Sequence, residues 1–128
     1  MIAYVDASDR DHEACLRLLL NHPGTLFVPV LVIAEVAHYV GRRIGSDAEL
    51  DVLGDIADGT LEPMAVDARD WPRVIELTWK YRDLPLGTVD ASVIALAERL
   101  KINQIATLHH RHFSVVGPAH VEAFELLP

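Results

Sequence analysis

Three separated stretches of this chain carry side chains able to do chemistry. Glu35 lies in VLVIAEVAHYV, Asp90 in TVDASVIALAERL, and His109, His110 and His112 crowd into TLHHRHF, from Thr107 to Phe113. Imidazoles so placed can bind a metal, carry a proton or cap a strand, and the cluster by itself does not choose among these roles. The carboxylates say more, because of their neighbours. On a helix Glu35 falls one turn after Leu31 and Val32 and one turn before His38 and Tyr39, on or beside the apolar stripe. Asp90 falls one turn before Val93 and Ile94 and shares their face with Ala97. A carboxylate aimed at an apolar face is costly unless a cation or hydrogen-bond donors meet it. Asp90 has a competing role as an N-cap or first-turn residue favoured by the helix dipole, and Glu35 as one half of a buried salt bridge. Hard oxygen ligands with open positions suit Mg²⁺ or Mn²⁺, which polarise a phosphodiester and lower the pKa of a bound water.

The elements that must position these groups follow from periodicity and breakers. A helix is expected from about Asp9 to Asn21, stopped by HPG, then a short strand TLFVPV ending at Pro29. VLVIAEVAHYVGRRI reads as a helix with Arg42 and Arg43 suiting its C-terminus, and GSDAELDVLGDIADG as another, capped by Ser46 or Asp47 and closed by Gly59. LEPMAV is a short strand. DARDWPRVIELTWKYRD is a helix with Pro72 in its first turn and apolar or aromatic residues at Trp71, Val74, Ile75, Leu77, Trp79 and Tyr81. LPLG breaks the chain; TVDASVIALAERLK is a helix, NQIATL a strand, VEAFELLP a final strand. Ile2 to Val5 is thin for the buried opening strand of such a fold. The alternation predicts an α/β domain with a mostly parallel central sheet covered by helices. In such sheets the C-terminal strand ends form the binding crevice, so Glu35, Asp90 and the segment around His109 are expected to converge there.

Composition bounds the rest. A chain of 128 residues, 51% hydrophobic and 23% charged, suits one soluble domain with one core. It contains no apolar run of membrane-spanning length, and MIAYVDASDRDHE has acids where a signal peptide has its basic and apolar regions, so cytoplasm and no membrane partner are expected. Cys15, in HEACLRLLL, reads as a small buried apolar residue. The net charge of −8 gives no global attraction to nucleic acid, so any such partner is engaged locally, at Arg42 and Arg43, Lys80 and Arg82, Arg99 and Lys101, or Arg111.

VPVLVIAEVAHYV, then VDASVIALAERLKINQIATL, then HHRHF with the closing FELLP, closely resemble the PIN-domain ribonuclease toxins of the VapC type, over nearly the whole chain and in order. The resemblance implies a single PIN-like domain over residues 1–128. It also implies the toxin of a type II toxin–antitoxin pair, a metal-dependent endoribonuclease with Mg²⁺ or Mn²⁺ as cofactor, RNA as substrate, a cognate VapB-type antitoxin and a homodimer. Carried over residue by residue, it makes Asp90 a direct metal ligand and Glu35 a ligand or an orienter of metal-bound water. Thr107 matches the strand-end threonine whose hydroxyl orders the site. Thr107 and Arg111 fall on its substrate side.

The chain departs from the family pattern twice. The aspartate of the family's opening strand would lie upstream of Met1, and Asp6 is not its equivalent. MIAYVD corresponds instead to the end of the first helix, and the domain is read as N-terminally truncated relative to the family. Where members show TLDRRHF or TLDRRDF, this chain has TLHHRHF, so His109 stands in an aspartate's place and is taken as a third catalytic participant. Two fewer carboxylates lower affinity for Mg²⁺, and an imidazole tilts preference toward Mn²⁺ or Zn²⁺. The alternatives are a catalytically impaired module that keeps antitoxin and dimer contacts, and a structural reading in which Glu35 and Asp90 pair with buried arginines. Of the other histidines, His12, His22 and His120 are expected at the surface or in loops, His38 partly buried on its helix, and His110 and His112 as loop hydrogen-bonders. Only His109 is expected to face the site.

Overall fold

The chain is described by a computed structural model at residues 1–84 and 86–128; Pro85, inside the expected break LPLG, lies outside the described residues. Contacts divide the chain into two units, residues 1–64 and 65–128.

The first unit runs α1 (Ile2–Val5), α2 (His12–Asn21), β1 (Leu26–Pro29), α3 (Val30–Arg43), α4 (Ser46–Ala57) and β2 (Leu61–Met64). Ile2–Val5 is a single helical turn closed by Asp6, as the family resemblance implies, and not a strand. Strand β1 passes straight into α3 because Pro29, which has no N–H to donate, sits at the helix N-cap in an extended conformation (φ −57°, ψ 136°). β1 and β2 pair in parallel, Leu26 opposite Leu61 and Pro29 opposite Met64. α3 and α4 pack through Val36, Val40 and Val52, with Met1, Ile2, Val5, Val32 and Ala48 around them. The expected cap at Ser46 or Asp47 is not made: Gly45 occupies the N-cap at φ +141°, a conformation that L side chains rarely adopt, and Asp47 and Glu49 instead lie in the first turn of the helix. Gly59, at φ +84°, closes this segment as expected. Cys15 is buried, as its sequence setting implies. His12 begins α2, its ring Nδ1 against the Ala3 carbonyl at 3.0 Å. His38, expected to be partly buried, is exposed.

The second unit runs α5 (Trp71–Lys80), α6 (Thr88–Leu100), β3 (Gln104–Ala106), α7 (His110–Ser114) and β4 (Glu125–Leu127). Helix α6 is its axis. Ala91, Ser92, Ile94, Ala95, Leu96 and Ala97 are all buried, and the small side chains among them let α5 pack closely. The core adds Val74, Leu77, Leu86, Ile105, Phe113, Val116 and Phe124. Lys101, at φ +58°, ends α6 in the left-handed conformation. β3 and β4 pair in parallel, Ile105 opposite Leu126, and the ladder is extended by the Thr107 N–H donating to the Leu127 carbonyl at 2.7 Å. Every strand pairing among the described residues is parallel, in agreement with the α/β reading. Of the apolar and aromatic residues that mark α5, Trp71, Ile75 and Trp79 are 42%, 68% and 68% exposed, and Val74 and Leu77 carry the packing. Among the described residues no helix is long and apolar enough to cross a membrane.

Candidate metal centre

Helix α6 takes Gly87 as its N-cap, extended at φ −77°, ψ 172°, and no side chain caps it. Asp90 is therefore not a cap. It is the third helical residue, where the orphan N–H groups and the dipole favour a negative charge while leaving its oxygens free to face outward. Its side chain is 21% exposed, and Oδ2 lies 2.9 Å from Nδ1 of His112. In the neutral tautomer whose Nδ1 carries the hydrogen, the imidazole donates to the carboxylate and Nε2 keeps its lone pair. The bond holds Asp90 in one orientation, the arrangement by which a carboxylate and an imidazole commonly order a metal ligand set.

His112 reaches Asp90 because of the way the chain leaves β3. The Thr107 hydroxyl accepts from the His109 N–H at 3.0 Å and turns the chain. His109 becomes the N-cap of α7, its carbonyl accepting from the His112 N–H at 2.9 Å. Phe113, 3% exposed, anchors the short helix in the core, which fixes the direction of its neighbour His112. The rings of His109 and His112 meet edge to face, centroids 5.5 Å apart. One ligand-type atom each from Asp90, His109 and His112 lie within 4.8 Å of one another, and this is the one such group of three or more among the described residues.

The structure thus brings Asp90 and His109 together and adds His112, which the sequence alone presents as no more than a loop hydrogen-bonder. His110 and Arg111, on the same helix, are exposed; the Arg111 guanidinium has no ion-pair partner among the described residues. Glu35, in the middle of α3, is exposed and has no hydrogen bond or ion pair among the described residues, so the buried-salt-bridge reading fails for it. It fails for Asp90 too, whose partner is a histidine. The buried arginine pairs involve other acids. Arg99 binds Asp70 through Nε at 3.0 and 3.1 Å, and Arg73 binds Glu98 through Nε and Nη2 at 2.9 and 2.8 Å. Arg99 is thereby removed from the candidate nucleic-acid contacts.

Residues 1–117 match the PIN domain family. The chain is 34% identical to Ribonuclease VapC26 of Mycobacterium tuberculosis over 128 residues, all of this chain and 95% of that protein. Its fold matches the crystal structure of Mycobacterium tuberculosis VapC20, a sarcin–ricin-loop-cleaving toxin, with a TM-score of 0.74 at 20% identity, covering 80% of this chain and 79% of the other. A family match over nearly the whole chain, a full-length relative and a shared fold agree, and the chain belongs to the PIN-domain family, in its VapC-type branch.

Proposed function

We propose that this chain is the toxin of a type II toxin–antitoxin pair, an endoribonuclease that cuts RNA phosphodiester bonds with the help of a divalent cation. The observation that carries this reading is the convergence of Asp90, His109 and His112 at the start of α6, in a chain 34% identical to Ribonuclease VapC26. The donor set fits a divalent ion: one carboxylate oxygen and two imidazole nitrogens within a single ion's reach. A set with two nitrogens suits Mn²⁺ better than Mg²⁺, which prefers oxygen. Asp90 and His109 would hold the ion, with His112 either a third ligand or, through its contact with the carboxylate, the group that orients Asp90. When bound, such an ion polarises the phosphodiester and lowers the pKa of a water beside it.

The protein's own contribution is placement. The Asp90–His112 bond limits where the carboxylate can point, and the Thr107 hydroxyl sets the turn that presents His109. Arg111, exposed and without an acidic partner among the described residues, is suited to a substrate phosphate. Glu35 is assigned as a second acidic participant on its match to the family's helix glutamate, and its lack of a partner among the described residues leaves its charge available. A VapB-type antitoxin, a homodimeric state and a cytoplasmic setting belong to the same reading.

The test is cleavage of labelled RNA by the purified chain with Mg²⁺ or Mn²⁺, against Asp90→Ala. The expected result is cleavage that is stronger with Mn²⁺ and disappears in the variant. Absence of cleavage with either ion, while the cognate antitoxin still binds, would instead identify a binding module, the reading favoured by His109 standing in an aspartate's place.

A further inference from the structure

Among the large apolar side chains of the second unit, Trp79, in the last turn of α5, and Ile75 are the most exposed, at 68% each, and the Trp79 ring is not bare. The Arg82 guanidinium lies over its ring, 4.8 Å from the centroid, and is held there by Nη1 donating to the Trp79 carbonyl at 2.9 Å. Beside it the Lys80 ammonium lies 5.2 Å from the centroid of Tyr81. Tyr81 is itself fixed, packed against the core with its hydroxyl accepting from the Gly117 N–H at 3.3 Å. Neither Lys80 nor Arg82 has a carboxylate partner among the described residues, and Asp83 is the one acid in the segment Trp79–Asp83. In a chain of net charge −8 this is a local excess of positive charge on an aromatic surface.

Its place in the fold matters as much as its composition. The Leu86 N–H donates back to the Tyr81 carbonyl at 3.4 Å, so the connection from α5 to α6 is short and holds Tyr81 beside the residue that precedes the α6 N-cap. Asp90 is in the first turn of that helix. The aromatic and cationic segment therefore sits at the same end of the α5–α6 pair as the candidate metal centre.

We propose that Trp79, with Arg82 and Lys80, is a stacking platform for an unpaired base of the RNA strand that passes to Asp90. In this arrangement the two cations take the phosphates beside that base. The inference rests on the RNA-cleaving reading above. Every base has a π face, and an indole backed by a guanidinium suits one while the charges neutralise the backbone. A second copy of the chain fits the same face less well. A two-fold interface centred on this segment would bring Lys80 and Arg82 of one copy against the same cations of the other, at a cost in desolvation and repulsion that a polyanion does not incur.

The experiment is titration of a labelled short single-stranded RNA of mixed sequence into the full chain, with chelator present to prevent cleavage. Trp79→Ala, Trp79→Phe and the Lys80→Ala, Arg82→Ala double variant are compared by RNA affinity, indole fluorescence and molar mass in solution. Trp79→Ala is expected to weaken binding about 5- to 100-fold, the scale of removing the support for one stacked base, and Trp79→Phe to restore most of it. The double variant is expected to flatten the slope of log affinity on log salt by about 1.4, roughly 0.7 for each phosphate no longer neutralised. Unchanged affinity in Trp79→Ala overturns the platform, as does a fall in assembly mass with RNA affinity intact, which would assign the face to a second copy. If the wild-type chain cleaves RNA while Trp79→Ala binds and cleaves it undiminished, the platform alone fails; if the wild-type chain neither binds nor cleaves RNA, both readings fall together.

Discussion

Residues 65–128 and residues 1–64 each contain one of the two carboxylates that stand out in the sequence, and they treat them differently. Asp90 is part-buried, bonded to His112, and built on a helix whose inner face is entirely buried. Around that helix lie seven buried apolar residues of other elements and the pairs Arg73–Glu98 and Arg99–Asp70. Glu35 stands exposed on α3, without a hydrogen bond or ion pair among the described residues, in the helix that also supplies Val36 and Val40 to a buried cluster with Val52. A carboxylate that must meet an ion in one geometry needs its rotamer fixed by neighbours, and those neighbours need a rigid element beneath them. The second unit supplies both. In the first, any role for Glu35 depends on charge and not on a prearranged contact.

The strongest way to break this contrast is Asp90→Asn. The change keeps shape and removes charge, so RNA cleavage should fall by about 100-fold or more, the scale of losing one charge-stabilising group in an active site. The thermal midpoint should stay near that of the wild type, since the Asp90–His112 pair is part-exposed. Adding Mn²⁺ should raise the wild-type midpoint, by about 2.7 kcal/mol of stability at a hundredfold excess over Kd, and leave the variant unmoved. A variant that still gains stability from Mn²⁺ would place the ion elsewhere. The support beneath the site is tested by Leu77→Ala. Leu77 is fully buried between α5 and α6, and its truncation should cost about 2–5 kcal/mol in chemical denaturation.

How much of this is legible in the sequence follows the range of the signals. Helix α6 is readable because its apolar residues recur over more than three turns, and the strands because short β-rich runs sit between breakers. Asp90 stands out because it interrupts an apolar face. His112 does not, because its partner is 22 residues away and reaches it only through a five-residue helix with no periodicity to read. The Arg99–Asp70 bond spans 29 residues and is invisible for the same reason, which leaves Arg99 among the free cations until the fold is known. The pattern of α5 does not say which of Trp71, Val74, Ile75, Leu77 and Trp79 are core residues, because apolar residues lie on more than one of its faces. The cap of α4 is misplaced by sequence because Gly45, which has no side chain to signal a cap, takes the N-cap position at a positive φ.

Two further changes sharpen the comparison at smaller cost. Asp70 is 5% exposed and accepts both the Arg99 Nε–H, shared between its two oxygens, and the Asp67 N–H at 2.8 Å. Asp70→Asn should cost about 2–3 kcal/mol in urea unfolding, less than a fully buried pair because Arg99 keeps part of its contact with water. In the first unit the comparable polar tie is Tyr4, whose hydroxyl donates to Asp55 at 2.9 Å. Burial, followed by the bond to Asp55, pushes the phenol up to about 12. A pKa raised in the folded state adds stability below the unfolded value near 10, and that stability is lost as pH rises from there through the folded value. Wild-type stability should therefore fall across this alkaline window, and Tyr4→Phe should be slightly less stable at neutral pH, by about 1 kcal/mol, with a flatter alkaline profile. Equal slopes in the two proteins would sink the assignment.

The smallest stability effect belongs to Glu35→Gln, and its smallness makes it informative. The side chain is exposed and makes no hydrogen bond or ion pair among the described residues, so neutralising it removes no favourable contact and exposes no orphaned partner. Unfolding free energy should change by no more than about 0.5 kcal/mol. A loss of several kcal/mol would mean that Glu35 is a structural acid after all. With stability fixed, any fall in RNA cleavage reports charge acting on ion or substrate, free of the folding defect that clouds most active-site substitutions. A fall in cleavage together with weaker Mn²⁺ stabilisation would make Glu35 a second acidic partner of the ion. Unaltered cleavage and unaltered Mn²⁺ stabilisation would leave Asp90, held by His112, as the carboxylate on which the chemistry turns.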